Sequence, residues 1–103
     1  MFGNMIGKLK EAEGLMEETK ARMESVYVNA EAENGMVKVI MNANKKVKDI
    51  SIDKSLIDVT EKERLEELLV VALNKAMEKA DRIFETEMQG MSKGLFPSFP
   101  FLF

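Results

Sequence analysis

The chain has 103 residues, enough for one domain with a modest core that a partner subunit would help to cover. Apolar residues make up 46% and charged residues 32%, which argues for a folded chain and against a disordered one. Cysteine and histidine are both absent, which excludes disulfides and thiolate chemistry and removes the commonest general base, while at a net charge of −3 whole-molecule attraction to phosphate is not expected.

No apolar run approaches the roughly 20 residues of a membrane span. The start, MFGNMIGKLKEAEG, lacks the basic opening and long apolar stretch of a secretory signal. A cytoplasmic chain is expected, with no membrane partner.

From about Asn4 to Ser25 the pattern is helical. Met5, Leu9, Ala12, Met16, Thr19, Met23 and Val26 alternate in steps of four and three residues, a narrow heptad seam broken only by a polar threonine. Such a seam suits one long helix lying against another. Val26 to Glu33 then alternates apolar and polar residues as a half-buried strand does. Asn34-Gly35 follows, a hairpin signal because a type I′ turn needs positive φ at both central residues. Met36 to Asn42 alternates again, and Ile40 with Met36 on its second face implies that this face is partly covered. Asn42 to Lys46 reads as a second turn and Val47 to Asp53 as a third strand. Its apolar parity shifts between Val47 and the pair Ile50 and Ile52, which predicts a bulge.

After a connector, Thr60 has the chemistry of an N-cap, with Glu63 three residues on to complete a capping box. The second helix is expected from Glu61 to about Gln89, ending at Gly90, roughly 40 Å long against about 20 Å for a short-stranded sheet. It must overhang the sheet. Its first half contains LLVVAL, Leu68 to Leu73, apolar nearly all round; its second half narrows to Ala76, Ala80, Ile83 and Phe84. The chain therefore divides into one α+β domain, residues 1–90, and an apolar Phe/Pro tail, residues 91–103. Four of the six phenylalanines lie in the last ten residues. Two prolines there exclude a helix or a central strand.

Candidate chemistry is sparse. No nucleophile has a nearby base, and no glycine-rich phosphate loop is present, so no enzyme, no cofactor and no metal site are expected. Asp49 and Asp53 on the third strand could share a cation, but two exposed aspartates are more often simply solvated. The charge layout of the second helix is more informative. At about 100° per residue, Arg64, Lys75, Lys79 and Arg82 fall within roughly 60° of one another. Glu63, Glu67, Glu78, Asp81 and Glu85 form a separate strip about 100° away. Two readings stand: a solvated face paired with neighbouring acids, or a line of phosphate contacts. Lys8 and Arg22 flank the seam of the first helix, and Lys45, Lys46 and Lys48 cluster at the second turn. No aromatic residue interleaves these charges, which argues against base stacking, and no helix-turn-helix signature promises base readout.

The order of helix, three-stranded antiparallel meander and long helix resembles the YbaB/EbfC family of bacterial nucleoid-associated proteins. The likeness is carried by MFGN, NGMVKVIMN, KKVKDISIDKSLI, LEELLVVALNKAMEKA and the closing FPFLF, nearly the whole chain. Two departures stand out: Asn42-Ala43-Asn44 where the family commonly has asparagine-glycine, and Lys54 where it commonly has proline. The resemblance implies a homodimer with projecting helical arms. Its centre would be the sheet and the apolar half of the second helix, which places Ile40, Leu68, Leu69, Val71, Ala72 and Asn74 at the subunit interface. It further implies binding of double-stranded DNA in the cytoplasmic nucleoid, with little sequence preference. The residues expected on phosphates are Lys8, Arg22, Arg64, Lys75, Lys79 and Arg82. The alternative is a non-catalytic protein–protein adaptor using the Met-rich seam and the Phe/Pro tail.

Overall fold

A computed structural model describes the backbone of residues 2–95 and the side chains of residues 5–90. The Phe/Pro segment 96–103, and with it most of the expected tail, lies outside the described residues. Helix α1 spans Phe2–Met23, strands β1, β2 and β3 span Tyr27–Ala32, Val37–Asn42 and Val47–Ile52, and helix α2 spans Lys62–Leu95. The strands form one antiparallel sheet in the order β1-β2-β3.

The local turn chemistry acts as the sequence predicts. Asn34 and Gly35 take φ of 54° and 86°, and the Met36 N–H donates to the Glu33 carbonyl at 3.2 Å, closing the hairpin. A side chain at Gly35 would be strained by this φ and would also meet Lys38 Cε at 3.0 Å. The expected bulge is present. Ile40 pairs with Asp49 but Met41 pairs with Val47, so Lys48 is the extra residue.

Val28, Ala30 and Ala32 of β1 and Val37, Val39 and Met41 of β2 turn one face of the sheet to α2. From α2 come Ala72, Ala76 and Ala80, each 0% exposed. Their four-residue spacing keeps one row of methyl groups against the strands, so the helix backbone approaches closely. Leu65, Leu68, Leu69, Leu73 and Ile83 pack around that row.

The seam of α1 is graded. Met23 and Thr19 are buried, Met16 and Ala12 half-buried, and Leu9 and Met5 exposed. The radius of gyration is 19.1 Å, against about 13 Å for a compact chain of this length. The extents are 67 × 24 × 17 Å, so the helices project well past the sheet.

Two expected boundaries are corrected. Thr60 is not the cap of α2. Asp58 is the N-cap of a short 3₁₀ turn, Val59–Glu61, and its carboxylate accepts the Thr60 N–H at 2.9 Å and the Thr60 hydroxyl at 2.8 Å. An aspartate two residues upstream offers the same donors a charged acceptor, and it wins. Nor does α2 stop at Gly90, but runs to Leu95. A glycine costs about 1 kcal/mol inside a helix yet ends one only by adopting positive φ, and Gly90 does not.

Candidate nucleic-acid interface

The four basic residues expected on one flank of α2 do share a flank, and it overhangs the outer edge of β1. Lys79 Nζ donates to the Asn29 carbonyl, and Lys75 Nζ donates to the Glu31 carbonyl at 3.3 Å. Asn29 and Glu31 are two residues apart on an edge strand, so these are outward carbonyls that no neighbouring strand takes up. A carbonyl is neutral, so these bonds bring neither lysine a countercharge. Arg82 lies on the same flank, exposed, with no side-chain partner among the described residues.

Arg64 is different. Its guanidinium pairs with Glu33 at 3.0 Å and Glu61 at 3.6 Å, and the Glu33 carboxylate raises its pKa further. Arg22 of α1 pairs with Glu87 of α2. Both charges are locally compensated. Lys8, near the far end of α1, is exposed and has no side-chain partner among the described residues. The structure thus leaves Lys75, Lys79 and Arg82 on this flank without an acidic partner among the described residues, pairs Arg64 and Arg22 with carboxylates, and places Lys8 on α1. The lysines at the second turn disperse: Lys45 pairs with Asp81, Lys46 pairs with Glu24 at 3.0 Å, and Lys48 sits 4.4 Å above the Tyr27 ring.

The residues expected between subunits do not form one surface within the chain. Ala72 is spent in the chain's own core. Ile40 is half-buried, and its partner across β3 is Asp49, on the face turned away from α2. Asn74 and Val71 are exposed, and Leu68 and Leu69 are half-buried on either side of the alanine row.

What sequence reasoning missed is on the opposite side of α2. Ile50 pairs with Val39 and Ile52 with Val37, so both isoleucines point to the α2 side of the sheet. Yet α2 packs on β1 and β2, and among the described residues no element lies over β3. Every residue of β3 is exposed, Ile50 at 41% and Ile52 at 36%. By helical position, Leu69, Leu73, Met77 and Val70 line the flank of α2 that faces this gap. The result is an apolar trough between helix and strand. The signal was in the sequence as the matching parity of Ile50 and Ile52, but only the helix position tells that no described residue lies over them.

The second missed feature joins α1 to the sheet. Asn42 is buried; its Oδ1 accepts the N–H groups of Asn44 and Lys46 at 2.9 and 3.0 Å, and its Nδ2 donates to Glu24 at 3.0 Å. Asn44 Nδ2 donates to Glu24 and to the Lys20 carbonyl, both at 2.9 Å, adding a second donor to a carbonyl in the last turn of α1 that the Glu24 N–H already bonds. Asn44 and Lys46 together hold the Glu24 carboxyl below its ordinary pKa. The asparagines that depart from the family pattern are therefore a joint.

Asp53, one of the two aspartates weighed for a cation, instead accepts the N–H and hydroxyl of Ser55 at 3.0 and 2.6 Å. The Ser55 hydroxyl lowers its pKa first, and the Ser55 N–H adds to this.

A profile of the YbaB/EbfC DNA-binding family matches residues 1–95. The chain belongs to that family. The YbaB/EbfC proteins are non-catalytic, nucleoid-associated DNA-binding proteins. A nucleoid-associated protein of Flavobacterium johnsoniae is 44% identical over 96 residues, covering 93% of this chain and 89% of the relative. One of Methylocella silvestris is 35% identical over 95 residues, covering 89% of each. The crystal structure of an uncharacterized Helicobacter pylori protein matches with a TM-score of 0.80 over 88% of this chain and 96% of that one; at 22% identity this establishes a shared fold. No described helix is long and apolar enough to cross a membrane.

Proposed function

We propose that two copies of this chain associate across the trough between α2 and β3, and that the dimer binds duplex DNA in the nucleoid through phosphate contacts with little sequence preference. The observation that carries the reading is the flank of α2 in which Lys75, Lys79 and Arg82 stand together without acidic partners. Carbonyl bonds hold the two lysines in place, and each ammonium has further donors to offer a phosphate. Lys8 extends the contact along the arm. Arg64 and Arg22, already paired with carboxylates, contribute least.

The test is fluorescence anisotropy of a labelled duplex against the protein at several salt concentrations. It is repeated with Lys75→Gln, Lys79→Gln and Arg82→Gln combined. Glutamine removes the charge at each position and keeps a polar side chain with donors. Binding should weaken linearly in log–log salt, and the triple variant should show a slope shallower by about one for each phosphate no longer neutralised. Unrelated duplex sequences should bind within a few fold of one another. An unchanged slope in the variant moves the site off α2. No binding at low salt overturns the DNA reading and leaves a protein–protein adaptor.

A further inference from the structure

Among the described residues, nothing covers the apolar face at the exposed end of α1. Met5, Ile6 and Leu9 are 61%, 54% and 64% exposed. They continue the line of Ala12 and Met16, which are half-buried. The two helices run antiparallel: Arg22 meets Glu87, and Gly90 lies beside the Leu15–Thr19 turn. Five more residues carry α2 to Leu95, about 7.5 Å further, to the level of Ala12. Beyond that point α1 continues for about 15 Å to Phe2 with no other element beside it among the described residues. The seam is thus covered while α2 runs beside it and bare past the end of α2.

Residues 96–103, Phe-Pro-Ser-Phe-Pro-Phe-Leu-Phe, begin where that bare face begins. They carry no charged side chain and four phenylalanines. Proline disfavours helix, and eight residues in polyproline-like geometry, at about 3.1 Å each, would reach about 25 Å. That reach exceeds the bare length of α1. With three residues per turn, Phe96, Phe99 and Leu102 share one edge of such a strap.

We propose that residues 96–103 turn back along α1 of the same chain and cover Met5, Ile6 and Leu9. The same chain is favoured over a partner because the segment starts beside its own α1. A short tether of this kind gives an effective concentration in the millimolar range. Its docking removes an exposed apolar patch from the end of each arm.

The chain contains no cysteine, so paired cysteines report without background. In the full chain, Leu9→Cys with Phe99→Cys is oxidised beside a control of Glu11→Cys with Phe99→Cys, Glu11 being on the opposite side of α1. The first pair should close at least roughly tenfold faster and give a single-chain product on a denaturing gel. Equal rates, or a product of two chains, overturn the proposal. Because Leu9→Cys alters the face itself, hydrogen exchange supplies a second test. Changing Phe96, Phe99 and Leu102 to serine should speed exchange at residues 5–10 by roughly tenfold and leave β2 unchanged. Exchange that does not respond overturns the docking.

Discussion

The two edges of the sheet are built oppositely. At β1, the outward carbonyls of Asn29 and Glu31 are taken by Lys79 and Lys75, and Arg64 bonds Glu33 just past the strand end. At β3, the described residues place nothing over Ile50 and Ile52. An edge strand with free carbonyls invites another strand, and charged side chains laid over it refuse one. The β1 side is closed to strand addition and the β3 side is left apolar and open. One helix does both, because its basic flank and its Leu69, Leu73 and Met77 flank face opposite edges. The same lysines that close β1 supply the cations proposed for DNA.

The sharpest way to break this contrast is to put a charge in the trough. Ile50→Asp should weaken self-association by about 100-fold or more, since an unpaired carboxylate buried in an interface costs about 3 kcal/mol or more. Light scattering across a dilution series reads this, and an unchanged mass at low micromolar concentration would place the interface elsewhere. The next largest effect is expected at the joint that carries the β3 turn. Asn42→Ala leaves the Asn44 and Lys46 N–H groups and Glu24 without a buried partner, and should lower stability by about 1–3 kcal/mol in urea unfolding. At the β1 edge, Lys75→Met with Lys79→Met should change stability by no more than about 1 kcal/mol, because exposed polar contacts contribute little. It should instead raise the rate of aggregation, followed by turbidity; a rate equal to that of the unaltered chain would mean that the lysines do not guard the edge. The smallest effect is in acid. Glu24, Asp53 and Asp58 all have pKa values held below their ordinary ones, by Asn44 first, the Ser55 hydroxyl first and the Thr60 N–H first. Protons therefore bind the unfolded chain more readily, and the stability from these groups is present above the ordinary carboxylate range and lost as pH falls through it. Glu24→Gln should flatten part of that loss in a melting-temperature series against pH.

Features set by neighbours in the chain were legible in advance. The element order, the Asn34-Gly35 turn and the bulge beside Val47 all depend on a few consecutive residues. So did the grouping of Arg64, Lys75, Lys79 and Arg82, since helical spacing alone places them on one flank. Spacing does not say what lies across from a flank, and β1 carbonyls leave no mark in a pattern of side chains. The same limit hid the trough and made Ala72 an interface candidate when its own sheet consumes it. Thr60 and Gly90 misled for a different reason: each has the right chemistry for a helix boundary, but Asp58 competes for the cap and Gly90 keeps ordinary helical φ.

The close row of Ala72, Ala76 and Ala80 has a mechanical consequence. It is the seat of a rigid rod, and the rod continues about 22 Å from Ala80 to Leu95. A tilt of about 10° at the seat swings the tip by about 4 Å, comparable to the roughly 3.4 Å of DNA axis per phosphate along one strand. Core volume at the alanines therefore sets the gauge of the arm, and a single methylene added under the helix would recalibrate its reach while leaving every charged residue in place.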